Sequence, residues 1–233
     1  MSLERSSRSR SRSWRGYEVK SNHAELKARH REERHAWHEY ISLRVHRALS
    51  WLNRAEQCED EDGRFIFLWI AFNAAYAHEL GEYRELERRT FGRFLSRLVE
   101  LDRDGEIESV LWQQFPGPVR VLLGNKYVFQ PFWNHHNHLP DSDDWEERFN
   151  LANRAANRAI AARDIGKLLG IVFARLYTLR NQLVHGGATW NSQVNRDQLR
   201  DANAIMGTLV PLVIRIMMDN AGEYWGEPCY PVV

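Results

Sequence analysis

Apolar residues recur every three or four positions through most of the chain, the spacing that lines one face of an α-helix, and this pattern predicts an all-α fold. The first long helix is predicted from His23 to about Gln57, with Trp37, Ile41, Val45, Ala48, Leu49 and Leu52 on its core face. Its other side carries Arg29, Glu33, Arg34, Arg44, Arg47 and Arg54 and is expected to meet solvent or a partner, with His30, His35 and His38 on that side or its rim. The acidic run 59–63 reads as the turn that ends it. Residues 65–76 are apolar on all sides, too short to span a bilayer and poor in β-branched side chains, so a buried central helix is predicted. Asn73 lies within that run, and a buried amide needs a hydrogen-bond partner. Either a bond to another helix or a role in orienting an active site would supply one.

Further along, Leu86, Phe94, Leu95, Leu98 and Leu101 predict an amphipathic helix over 85–101. A turn at 102–105 and a shorter helix through Ile107, Val110, Leu111 and Phe115 follow, and Pro116-Gly117-Pro118 is expected to break the pattern. Residues 124–144 have loop chemistry but also hold Tyr127, Phe129, Phe132 and Trp133, which suggests an insertion anchored by aromatic rings. Asp143 with Glu146 reads as a helix start. Helix then runs, with a break near Asp164, through Leu168, Leu169, Val172, Leu176, Leu179 and Leu183 until Gly186-Gly187 stops it. A last long helix is predicted over 195–220, kinked at Pro211. No strand and no internal repeat is expected. The organisation expected is a flexible Ser/Arg-rich tail at 1–22, one helical domain over 23–225 with 84–150 inserted between core helices, and a tail at 226–233.

Composition refines this picture in two places. The net charge of +1 over 233 residues hides a basic start, since residues 1–20 alone carry +4, a repeat of Ser and Arg that cannot bury apolar surface. Such a segment could hold an RNA backbone by charge or serve as a solubilising tail. Two distant cysteines, Cys58 and Cys229, argue against a disulfide framework. With no run of about 18 apolar residues and no apolar leader, a cytoplasmic protein without a membrane partner is expected.

The chemistry concentrates at the end of the helix that stops at the double glycine. Arg180 and Asn181 are followed by His185, and helical geometry puts Asn181 and His185 on one face with Arg180 about 100° round. An arginine fork holds a phosphate, and an imidazole exchanges protons near neutral pH. Arg180-Asn181-Gln182-Leu183-Val184-His185 resembles the motif of HEPN domains, an arginine, a polar residue and then a histidine. The stretches 179–187 and 68–76 together resemble bacterial Apea-like HEPN proteins over about 35–220, least so at 84–150. The resemblance implies a four-helix bundle with added helices, pairing as a homodimer so that two motifs meet in one cleft. It implies metal-independent RNA cleavage, in which the ribose 2′-hydroxyl attacks the adjacent phosphate and leaves a cyclic phosphate and a free 5′-hydroxyl. His185 would then be the general acid or base, Arg180 would stabilise the charged phosphorane and Asn181 would position His185 or the phosphate. A toxin or defence role, restrained by an antitoxin such as a nucleotidyltransferase-like protein, is implied too. Competing readings are a non-catalytic HEPN module binding RNA or protein, and a helical scaffold.

Other signals are weaker. Asn134-His135-His136-Asn137-His138 with Asp141, Asp143 and Asp144 matches no metal-ligand spacing, so neither metal nor cofactor is expected. Arg154, Arg158 and Arg163 form a basic track or a solvated face. No Gly-rich phosphate loop and no Gly-x-Ser-x-Gly or Cys-His nucleophile pattern appears.

Overall fold

A computed structural model describes residues 22–76, 84–193 and 196–228, with residues 84–90 described in the backbone only. The Ser/Arg-rich tail and Cys229 lie outside the described residues. Among the described residues ten α-helices follow one another: α1 (His23–Glu33), α2 (Glu39–Glu56), α3 (Glu61–Tyr76), α4 (Arg84–Leu101), α5 (Glu106–Ser109), α6 (Pro116–Gly124), α7 (Gln130–His136), α8 (Trp145–Ala162), α9 (Ile165–Val184) and α10 (Arg196–Asp219). Among the described residues there is no strand, and the protein is all-α.

Helix α3 has no polar face because neighbours cover it on several sides: it packs against α2, α9 and α10. Phe65, Leu68, Ala71 and Phe72 are fully buried there. Ring contacts fix the direction of α9 beside it. Trp69 meets Tyr177 at 6.0 Å and Phe72 stacks on Phe173 at 4.5 Å, so α9 runs antiparallel to α3, its C-terminal end beside the α3 N-terminus. Helix α10 is by length and composition apolar enough to cross a membrane, contrary to the sequence expectation, yet 72% of that stretch is buried within the protein. Pro211 sits buried inside it.

Several predicted boundaries move, each for a local reason. The helix expected over 23–57 is two helices. A 3-10 turn at Arg34–Ala36 and an extended Trp37 separate them, and the His38 ring accepts the Tyr40 N–H to cap α2. The break lets α1 fold back on α2 and bury His30, which is fully enclosed rather than solvated. Arg44 is also fully buried instead of facing water. It donates to the carbonyls of Ala75, Gly226 and Glu227 (3.1, 3.2 and 2.6 Å), joining α2 to the end of α3 and to the last described residues. The expected tail at 226–233 therefore begins as a packed strap, with Trp225 buried against Phe94.

The acidic run does not end a helix; it starts one. Asp60 Oδ1 accepts the Gly63 N–H at 2.7 Å, and acidic side chains in the first turn of α3 suit its positive end. A Cβ at Gly63 would stand 2.8 Å from Cys58 Sγ, so only glycine fits under this loop without movement. The break expected here falls at Phe115 (φ −124°), and Pro116 opens α6 directly after it, since proline at the first helical position forgoes only an N–H that has no partner anyway. The 124–144 segment is partly helical, with a 3-10 turn at Lys126–Val128 before α7. Asp144, not Asp143, precedes α8. Asn73 is half-buried, and its amide oxygen finds no partner among the described residues.

Candidate active site at the end of helix α9

Helix α9 starts where expected. Arg163 adopts a left-handed conformation, φ 52°, and the Asp164 side chain accepts the Lys167 N–H at 3.0 Å. It ends at Val184. The His185 N–H still bonds the Asn181 carbonyl at 3.0 Å, and Gly186 takes φ 71°, a conformation glycine adopts without strain. His185 is thus the capping residue, held by its backbone with its ring exposed to solvent.

Arg180 and Asn181 are brought together as expected: Arg180 Nη1 donates to Asn181 Oδ1 at 2.9 Å. The guanidinium also lies 6.0 Å from the centroid of Tyr177, whose ring is 44% exposed. No hydrogen bond links Arg180 to His185 among the described residues. The arrangement offers an anion-binding fork braced by an amide and an aromatic ring, with a mobile proton carrier one turn further on. Gly166, Gly170, Ala174, Tyr177, Asn181 and Val184 line one side of α9, each partly or fully open to solvent.

Gln182, on the far side of His185 from Arg180, reaches into the 124–144 segment. Its Nε2 donates to the Tyr127 carbonyl at 2.5 Å, and the Trp133 indole donates to the same oxygen at 2.7 Å. Two turns back, Arg175 is buried and stacks on Phe129 and Phe149, 4.3 and 5.3 Å from their centroids. Burial without a carboxylate partner pushes its guanidinium down to about 10. The aromatic anchoring expected for the segment is present, and its anchor is a charge that the sequence reading passed over. The signal available was an arginine in the apolar register of α9, between Val172 and Leu179.

The chain leaving His185 is fastened to the start of α3. Trp190 Nε1 donates to Asp60 at 3.4 Å, the Asn191 N–H to Asp62 at 3.3 Å, and Arg196 pairs with Asp62 at 2.7 Å. The Gly63 N–H holds the Asp60 carboxyl below its ordinary range. Sequence reasoning did not find these residues, because their partners are over a hundred positions away.

Among the remaining candidates, Arg154 and Arg158 are exposed on α8, while Arg163 pairs with Glu108 at 3.0 Å. His135 faces Asp143 at 3.3 Å, and among the described residues no three His, Cys, Asp or Glu side chains converge to hold a metal. A polar cavity of about 240 Å³ lies between Asp102, Arg103, Arg215 and Asp219, away from the motif, and Arg215 is already paired with Glu106 at 2.5 Å. No family model, no curated protein and no solved structure matches the chain.

Proposed function

We propose that this chain is a metal-independent endoribonuclease of the HEPN type, with α2, α3, α9 and α10 as its bundle and the other helices as elaborations. The observation that carries the reading is the placement of Arg180, Asn181 and His185 at an exposed helix end, with the arginine already braced by the asparagine. A motif serving only to pack helices would be covered.

In this reading the ribose 2′-hydroxyl attacks the adjacent phosphorus and the 5′-oxygen leaves, giving a 2′,3′-cyclic phosphate and a 5′-hydroxyl. Arg180 neutralises the non-bridging oxygens as the phosphorane forms. His185 moves a proton, from the attacking hydroxyl or onto the leaving oxygen. One chain supplies one such imidazole, whereas the reaction needs both a base and an acid. A second copy placed along the open side of α9 would bring the other, so the working unit is a homodimer. A toxin or defence role, with an antitoxin such as a nucleotidyltransferase-like protein to restrain it, fits such an activity.

The test is incubation of the purified protein with end-labelled RNA in EDTA, beside Arg180→Ala and His185→Ala. Cleavage to cyclic phosphate should fall by at least about 100-fold in each, the usual worth of a proton-transfer group or of a donor to developing charge. Equal cleavage by all three proteins would refute the assignment. One observation favours a second reading, a non-catalytic RNA- or protein-binding module: no hydrogen bond orients the His185 ring among the described residues. RNA binding without cleavage by the parent protein would select it.

A further inference from the structure

Two exposed aromatic side chains belong to segments tied to the surroundings of the motif. Trp190, five residues beyond His185, is 72% exposed, although a free indole surface is costly to leave in water. Its one polar tie, through Nε1 to Asp60, holds the edge of the ring and leaves its faces open. Tyr127 is 45% exposed, and its backbone carbonyl is bound by Gln182, the residue after Asn181. Its ring is fixed by Phe132, edge-on at 5.4 Å, and by Trp133 at 6.5 Å.

Charge accompanies the rings. The exposed Lys126 ammonium lies over one face of Tyr127 at 5.4 Å and near Phe132 and Trp145 (5.4 and 5.9 Å), with no carboxylate paired to it among the described residues. An aromatic face beside an unpaired cation matches the repeating unit of a single nucleic-acid strand, a base followed by a phosphate. A duplex has its bases stacked on one another and cannot present them to such rings.

We propose that Trp190 and Tyr127 are base-stacking platforms on either side of the Arg180–His185 motif, with Lys126 holding a phosphate, so that the protein takes single-stranded RNA. This rests on the ribonuclease reading and names its substrate class. The stacked bases would splay the strand across the end of α9 and present the intervening phosphate to Arg180. Gln182 is then a positioning residue, since it sets where Tyr127 stands relative to the motif.

The experiment measures binding, so that it does not depend on cleavage. His185→Ala is titrated with a short single-stranded oligoribonucleotide and with a fully paired duplex of the same sequence. The single strand should bind more tightly than the duplex. Adding Trp190→Leu or Tyr127→Leu to that background should weaken single-strand binding by about 5- to 150-fold each, the range for loss of one stacked base. Trp190→Phe and Tyr127→Phe should restore most of it, because stacking needs only the ring, and Lys126→Gln should flatten the salt dependence. Unchanged binding in both leucine variants, or a preference for duplex, would overturn the platforms while leaving the ribonuclease reading standing. No RNA binding by the parent would sink both.

Discussion

Two buried arginines show how differently one residue type can act here. Arg44 donates to three backbone carbonyls from two parts of the chain, so Arg44→Met removes those bonds and should cost about 3 kcal/mol or more. Arg175 has one long bond, 3.4 Å to the Leu123 carbonyl, and two aromatic faces. Arg175→Met exchanges a desolvated charge for a thioether that packs well on rings, and stability should change by less than about 1 kcal/mol. Urea denaturation of the two variants checks the contrast, which reverses if the stacked cation is the stronger holdfast. His30 gives a pH signature. Burial chiefly, with Lys27, His46 and Arg34 nearby, lowers it from 6.5 to about 4. The folded state therefore keeps the ring neutral while the unfolded chain takes up a proton below pH 6.5. Full stability holds above that pH and is lost as pH falls towards 4, by on the order of 3 kcal/mol. His46 is lowered in the same sense. Urea midpoints measured across this range should fall with pH, and His30→Phe should make the fall shallower.

Among the elements, the strongest periodic patterns were legible: α3, α4, α9 and α10 lie close to where the spacing of Leu, Ile, Val and Phe puts them. What was not legible depended on distant partners. The bend between α1 and α2 exists because His30 is buried against Trp37 and the Ser42 carbonyl, and nothing in the local pattern marks a histidine as a core residue. Arg44 looked like surface for the same reason. At the candidate site, Arg180, Asn181 and His185 were readable from spacing, but not the fastening of the 186–193 segment to α3. Asp62 bears that fastening, and it is 7% exposed. Asp62→Ala should cost about 2 to 4 kcal/mol, since it leaves Arg196 without its carboxylate. It should also speed amide exchange over 186–193 while leaving exchange in α2 unchanged. Uniform acceleration would mean that the contact secures the whole fold rather than the loop.

At the scale of the molecule, one continuous buried cluster runs from Leu26 in α1 through Leu123 in α6 to Trp225. A shared core of this kind should unfold in one step. Tryptophan fluorescence and helical circular dichroism should therefore give superimposable urea curves. Two separated transitions would instead divide the chain into units, with the 84–150 region the expected earlier one. The candidate site stands at the rim of this core, built by one helix end and two segments that the core holds in place.

The buried contact of Arg44 with Gly226 and Glu227 also sets an order of events during synthesis. Arg44 leaves the ribosome long before the carbonyls that it needs, and until they emerge its guanidinium has only the end of α3 to bond within that set. The α2–α3 pair thus gains its bonds to the Gly226 and Glu227 carbonyls only when the strap arrives. Because α9 is made before the strap, the proposed nuclease would reach its finished form only near the end of translation of the described region, which shortens the time in which a half-made, active fragment could meet the RNA around it.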